Sequence, residues 1–261
     1  MHTQTTYHNT HIHTHSQHTH HRVTHAVACT GCAINNAGAI QVSTGARLEV
    51  AGDGGSFDQT HSAAELQVDG VLSVAGGLVR AMSGRVGGSG TVAGDLVVAG
   101  VLAPGGREQA GASWATPGTL SVDGDLSLES GTTLLVDVGS ETVDAVAAAG
   151  DVTIADLATG LASRLEPGGT LSTDFDAAVL TAPSGALTGA FEDTSALTED
   201  LVVVYDADAA RLVYAPPCPD DCSARGSCER SVVESVCDCL GGFSGVGCSV
   251  SMFVVVGCCC L

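Results

Sequence analysis

Six cysteines fall between residues 218 and 248, in "CPDDCSARGSCERSVVESVCDCLGGFSGVGC", with the spacing C-x3-C-x5-C-x8-C-x-C-x8-C. Thiols at this density either oxidise in pairs or hold a metal as thiolates. Zinc fits poorly, because the single residue inside Cys237-Asp238-Cys239 suits tetrahedral ligation less well than the usual wider spacing. Oxidation fits the composition. So short a segment with so little apolar content cannot bury a core, and covalent links must take the place of one. Each link contributes about 2–4 kcal/mol and persists only in an oxidising compartment. The block is therefore expected to be extracellular, with the pairing of its six cysteines left open by spacing alone.

Other reactive residues are sparser. Cys29 and Cys32 form a C-x-x-C without the βαβ surroundings of a redox motif, so a small Cys29–Cys32 disulfide is expected. Nine of the ten histidines precede residue 26, and His11, His13 and His15 would share one face of an extended segment. Imidazoles so placed can bind Zn²⁺, Cu²⁺ or Ni²⁺, but no cysteine or carboxylate framework would hold them rigid. A disordered leader is the preferred reading, with no metal or cofactor expected. Paired acids occur at Asp123/Asp125, Asp174/Asp176 and Asp206/Asp208. Each lies in a Gly- or Ala-rich turn setting where Asp serves its own backbone, which argues against paired-carboxylate hydrolysis. "GRVGGSG" (84–90) has no helix after it to complete a phosphate cradle and reads as a turn. "AGDGGSFD" (51–58) is similar to a calcium-binding nonapeptide but places Phe57 where a glycine is required.

Charge narrows the functions further. The nine basic residues are all arginine, against 29 acidic ones, for a formal charge of −20. Without lysine there is no Walker A loop, no Schiff base and no S-x-x-K nucleophile. So negative a surface repels phosphate backbones, and no nucleic-acid partner is expected. Aromatic residues make up only 3% of the chain, so sugar-stacking platforms are scarce and the interior must be narrow and aliphatic.

Elements that could position these residues begin at about Cys29. Apolar pairs recur in i, i+2 register: Ile40/Val42, Leu48/Val50, Leu66/Val68, Leu72/Val74, Leu96/Val98, Leu120/Val122, Leu126/Leu128, Leu134/Val136 and Val152/Ile154. Alternation this short, broken by Gly, Asp and Ser, predicts short half-buried strands. A turn or two of helix is expected only near Val143–Ala149. "VDGVLSV" (68–74), "VAGDLVV" (92–98) and "VDGDLSL" (122–128) share V-x-G-x-L-x-[VL], with starts 24 and 30 residues apart. Similarity on that scale predicts a solenoid in which each coil stacks on the next and the shared glycine marks a corner.

Two stretches also resemble known families. "GSGTVAGDLVVAGVLAPGG" (88–106) and "PGTLSVDGDLSLESGTTLLVDVG" (117–139) resemble the autotransporter-associated β-strand repeat of bacterial surface passengers. The segments at 175–193 and 201–214 resemble the way such passengers end. That resemblance implies a right-handed parallel β-helix. It is broken by an insertion, "REQAGASWAT" (107–116), that the family does not usually carry. Cys239 to Cys248 fits C-x-x-G-F-x-G-x-x-C, with Gly242, Phe243 and Gly245 in place, and the block resembles an EGF-like module. The resemblance implies the pairs Cys218–Cys228, Cys222–Cys237 and Cys239–Cys248. "YAPPC" before the first cysteine lacks the acidic segment of the calcium-binding subtype.

The expected organisation is all-β. A His-rich leader (1–28) precedes a right-handed parallel β-helix or solenoid (29–215), a small disulfide-stapled EGF-like module (218–249) and an apolar tail (250–261). Twelve residues are too few to span a bilayer, and the tail reads as the start of a membrane helix, implying anchorage. Insertions between coils gather on one face, and Arg and Trp are typical contact anchors, so Arg107, Glu108 and Trp114 are the candidate binding residues. The expected role is non-catalytic: an extracellular or cell-surface structural or adhesive protein engaging proteins or glycans. The alternative is a polysaccharide-cleaving β-helix enzyme.

Overall fold

A computed structural model describes residues 5–8, 12–13, 20–30, 33–52, 55–106, 117–155, 159–167, 169–198, 200–216, 222, 226–229, 236–240, 243–244, 248 and 250–251. Within these the chain is almost entirely β, without a helix, and most of its strands join in long parallel sheets. Parallel neighbours are never consecutive in sequence. Parallel partners lie between 16 positions apart, as Arg85 and Val101 do, and 35, as Val152 and Leu187 do.

The residues that share a register show how the interior is built. Leu48, Leu72, Val92, Val122 and Ala148 stand opposite one another on successive strands. Ile34, Phe57, Val79, Leu96, Leu126 and Val152 form a second row. Ile40, Leu66, Val86, Leu102, Leu134 and Leu161 form a third. Every one of these side chains is buried. The three rows meet in a single core cluster. Parallel neighbours are about 4.8 Å apart, so like side chains stack at contact distance along each row. Branched aliphatic residues fill such a ladder without the bulk of rings. Both members of all nine apolar pairs named above are buried within strands.

Three local expectations are corrected. The stretch Ala145–Ala148 is a strand, not a helical turn. It pairs in parallel with Thr119–Val122, and its small side chains fit the ladder there. "RVGG" (85–88) is a strand rather than a turn. Its glycines are required by close approach: a Cβ on Gly87 would come within 2.6 Å of the Ala103 carbonyl oxygen. Gly88, at φ 120°, would overlap the Val68 carbonyl. Finally, the three V-x-G-x-L units do not share one place. Leu96 pairs with Leu126, but Leu72 pairs with Val92, so the first unit is out of phase with the others. Alternation followed by a glycine bend occurs at more than one bend per pass, which makes different bends look alike in sequence.

Pairing changes direction at one end. Asp176–Thr181 is parallel to Ala145–Ala148 on one side and antiparallel to Ala209–Tyr214 on the other. Leu201–Tyr205 then pairs antiparallel with Ala209–Tyr214. In the cysteine block, Gly226–Glu229 pairs antiparallel with Val236–Cys239, and Phe243–Ser244 with Val250–Ser251. Among the described residues no helix is long and apolar enough to cross a membrane.

Candidate functional site

The long connections leave the sheets at one edge. The chain passes from Val101–Pro104 to Thr119–Val122, from Thr133–Val138 to Ala145–Ala148, and from Gly160–Leu165 to Asp176–Thr181 across it. The strands before these connections are mutual neighbours, as are the strands after them, so the three connections begin and end on neighbouring strands. The insertion at 107–116 belongs to the first of them. Its two ends are adjacent: a Cβ on Gly118 would lie 3.1 Å from the Cα of Gly105.

A buried polar cluster knits this edge together. Asp144, only 1% exposed, accepts the Gly118 amide hydrogen at Oδ1 (2.8 Å) and that of Asp137 at Oδ2 (2.9 Å). Asp137, also 1% exposed, receives a bidentate guanidinium from Arg164, Nε to Oδ1 at 2.7 Å and Nη2 to Oδ2 at 2.8 Å. Arg164 stands directly opposite Asp137 in the parallel register. Gly105 must lack a side chain, because a Cβ there would collide with Asp144 Oδ1. Burial pushes the Asp144 carboxyl up to about 7, and the negative charge of Asp137 adds to this, against the pull of the two amides and Arg164. A carboxylic acid of that strength beside an ionised carboxylate has the makings of an acid–base pair. Yet both oxygens of Asp144 are engaged by backbone amides and neither carboxylate is open to a substrate. The cluster fastens strands to one another.

A second ladder runs along a different bend. Asp95 Oδ1 accepts the Asp125 amide hydrogen (2.9 Å), Asp125 Oδ1 that of Asp151 (2.8 Å), and Asp151 Oδ1 that of Ala186 (2.9 Å). Asp125 thus serves the amide of the next pass rather than its own turn, which corrects the sequence expectation. The acid of the Asp123/Asp125 pair is structural. One acid of each other pair is likewise engaged: Arg211 bridges Asp176 and Asp206, the latter at 3.3 Å. On the outer face of the seven-stranded sheet lies an open groove of about 630 Å³ whose lining includes Glu65, Arg85, Val101 and Leu135.

The remaining expected residues divide by position. Arg107, Glu108 and Trp114 lie outside the described residues, as do His11, His15, Cys32, Cys218, Gly242 and Gly245. His13 lies on a short strand opposite Asn35. Cys29 is buried and disulfide-bonded. Cys222 and Cys237 are bonded with Cα atoms 5.5 Å apart, and Cys239 and Cys248 with Cα atoms 5.3 Å apart. Cys228 sits opposite Cys237 in the antiparallel register, and Phe243 opposite Ser251. Among the described residues no group of three or more His, Cys, Asp or Glu side chains is placed to hold a metal. The chain matches no family model and no curated protein sequence.

Sequence reasoning missed Asp137, Asp144 and Arg164. One signal was present: Asp137 interrupts the apolar run "TLLVDVG", where an unpartnered charge would be costly.

Proposed function

We propose that the chain is a non-catalytic extracellular or cell-surface protein, a rigid stalk or adhesive module that engages proteins or glycans. In this reading residues 29–215 are a right-handed parallel β-helical solenoid, and the cysteine block is an EGF-like module stapled by disulfides. The similarity to surface passengers and EGF-like modules supports it, as do the unbroken aliphatic rows and the bonded cysteine pairs. The observation that carries it is that three connections begin and end on neighbouring strands of one edge, which Asp144, Asp137 and Arg164 fasten together. Such an arrangement presents connecting segments from a rigid base, which suits recognition. Partners are extracellular proteins or glycans, with membrane anchorage through the apolar tail.

The polysaccharide-cleaving alternative draws its support from the acid strength of Asp144 beside Asp137, and loses it to their burial. The full chain incubated with neutral and anionic polysaccharides separates the two. Retention on an immobilised glycan or matrix protein without new reducing ends or unsaturated products is expected. Product release that depends on Asp144 would overturn the reading.

A further inference from the structure

We propose that the strand Leu201–Tyr205 is a docking edge for an extended segment of a partner protein, which joins the sheet there as a further strand. The segment that fits has small or aliphatic side chains and basic residues at both ends. The strand belongs to none of the three connections above, so its partner and theirs are separate.

The backbone shows which edge is open. Asp206 donates its amide hydrogen to the Ala209 carbonyl, and Ala215 donates to that of Asp200. These bonds fix the phase of the antiparallel ladder, so Val202 and Val204 are the residues bonded to Val213 and Arg211. Residues between them point the other way. The amides of Val203 and Tyr205 and the carbonyls of Leu201, Val203 and Tyr205 therefore line the outer edge. The Leu201 amide is held by the Thr198 carbonyl. The strand stands last in the order of the 16-stranded sheet, and among the described residues no backbone group pairs with its outer edge. The end strand of the seven-stranded sheet is treated differently: Leu161 and Ser163 donate to the carbonyls of Asp193 and Ala196, which cover it.

Open edges are usually guarded by lysine, proline or a bulge. "LVVVY" carries no charge and no proline, and its register with Ala209–Tyr214 runs unbroken. Val202, Val203 and Val204 are half-buried and Tyr205 is 37% exposed, so an added strand would find hydrocarbon beside it on both faces.

Charge selects the occupant. Asp200 precedes the strand, and the exposed Asp206 and Asp208 follow it. Arg211 is engaged with Asp176 and Asp206, and the sequence after Pro216 brings Asp220 and Asp221 before its next arginine, Arg225. A second copy fits poorly. Antiparallel self-pairing centred on Val203 would set Asp200 opposite Asp206, between chains that each carry a formal charge of −20. A foreign strand with basic ends meets the acids at both ends and supplies the missing backbone partners.

Binding of the labelled peptide Lys-Lys-Thr-Val-Thr-Val-Thr-Lys-Lys to the full chain tests the edge. Amide exchange is expected to slow at Val203 and Tyr205 and to change little at Val202 and Val204, which are already bonded. Exchanging the terminal lysines for glutamates should weaken binding by about tenfold or more at low salt, and by less at high salt. Val203→Pro, whose ring blocks the outer edge without removing a bond to Ala209–Tyr214, should abolish binding. If that variant does not fold, the peptide with all its central amides N-methylated replaces it, and the wild type should not bind it. Equal affinity for methylated and unmodified peptides, equal affinity for basic and acidic ends, protection only at other amides, or no binding at about 1 mM peptide would each overturn the proposal. So would a dimer of the chain that protects Val203 and Tyr205 without peptide. None of these results bears on retention of the chain by glycans or matrix proteins.

Discussion

Asp125 and Asp151 sit one above the other, and the carboxylate of the first accepts the backbone amide hydrogen of the second at 2.8 Å. The preceding glycines make this possible: a Cβ on Gly150 would overlap Asp125 Oδ1, and one on Gly124 would overlap Asp95 Oδ1. The Gly-Asp dipeptides at 124–125 and 150–151 therefore share one physical cause: each glycine clears room for the carboxylate of the neighbouring strand's aspartate, whereas Gly94 clears room for the backbone of Gly77.

Removing one rung should cost a hydrogen bond. Asp125→Ala is expected to destabilise the chain by about 0.5–1.5 kcal/mol in urea unfolding. Asp125→Asn keeps an acceptor and removes a stacked negative charge, so it should be close to wild type at high salt and gain on it at low salt. A D125N loss as large as that of D125A would show that the acceptor is not what matters.

Leu126 stands in the middle of an aliphatic row, between Leu96 and Val152. Truncation to Ala should cost about 2–5 kcal/mol, because the stacked neighbours above and below cannot both close the cavity. Leu126→Met, which nearly conserves volume, should cost less than about 1.5 kcal/mol. Thermal and urea unfolding of the two variants check the order.

Two glycines with positive φ should respond differently to Ala. Gly88, at φ 120°, would overlap the Val68 backbone as well as bear strain, whereas Gly45, at φ 75°, meets nothing within 4 Å. Strain alone is worth about 1–3 kcal/mol. G45A should fall within that range and G88A well beyond it, to the point of abolishing the soluble fold.

Arg164 holds the buried carboxylate of Asp137 by two hydrogen bonds. Arg164→Met should cost about 3–5 kcal/mol, since it leaves a buried charge uncompensated. Arg164→Lys keeps the charge but lacks the planar fork, and should fall between. A double variant that also carries Asp137→Leu should recover much of the loss, which unfolding of all three would show.

The cysteine block permits a direct chemical test. Proteolysis of unreduced protein followed by peptide mapping should recover linked peptides for Cys222–Cys237 and Cys239–Cys248. The same map shows whether Cys218 joins Cys228. Reduction should make residues 218–248 sensitive to protease while leaving the parallel sheets resistant, because those depend on buried hydrocarbon.

The strands were legible because alternation with period two is a local signal, and pairs such as Leu96/Val98 and Leu134/Val136 carry it without ambiguity. The strand at 85–88 was not, because its glycines answer to Ala103 and Val68, which are remote in sequence. The same holds for the buried polar cluster. Asp137, Asp144 and Arg164 spread over 28 residues and meet only through strand register, which no spacing rule exposes. The phase of the repeat failed for a related reason. Bends of one pass resemble each other as much as they resemble their counterparts in the next, so similarity alone could not tell Gly70 from Gly94.

The row Leu48, Leu72, Val92, Val122 and Ala148 advances by 24, 20, 30 and 26 residues, yet its members remain stacked. Surplus length falls between strands in the sequence, and the register of the row is kept. Content and frame are thereby decoupled. The chain leaves at Gly105 and returns at Gly118 beside it, so the number of residues spent between them is not written into the ladder, as text on a signboard does not set the dimensions of the timber behind it.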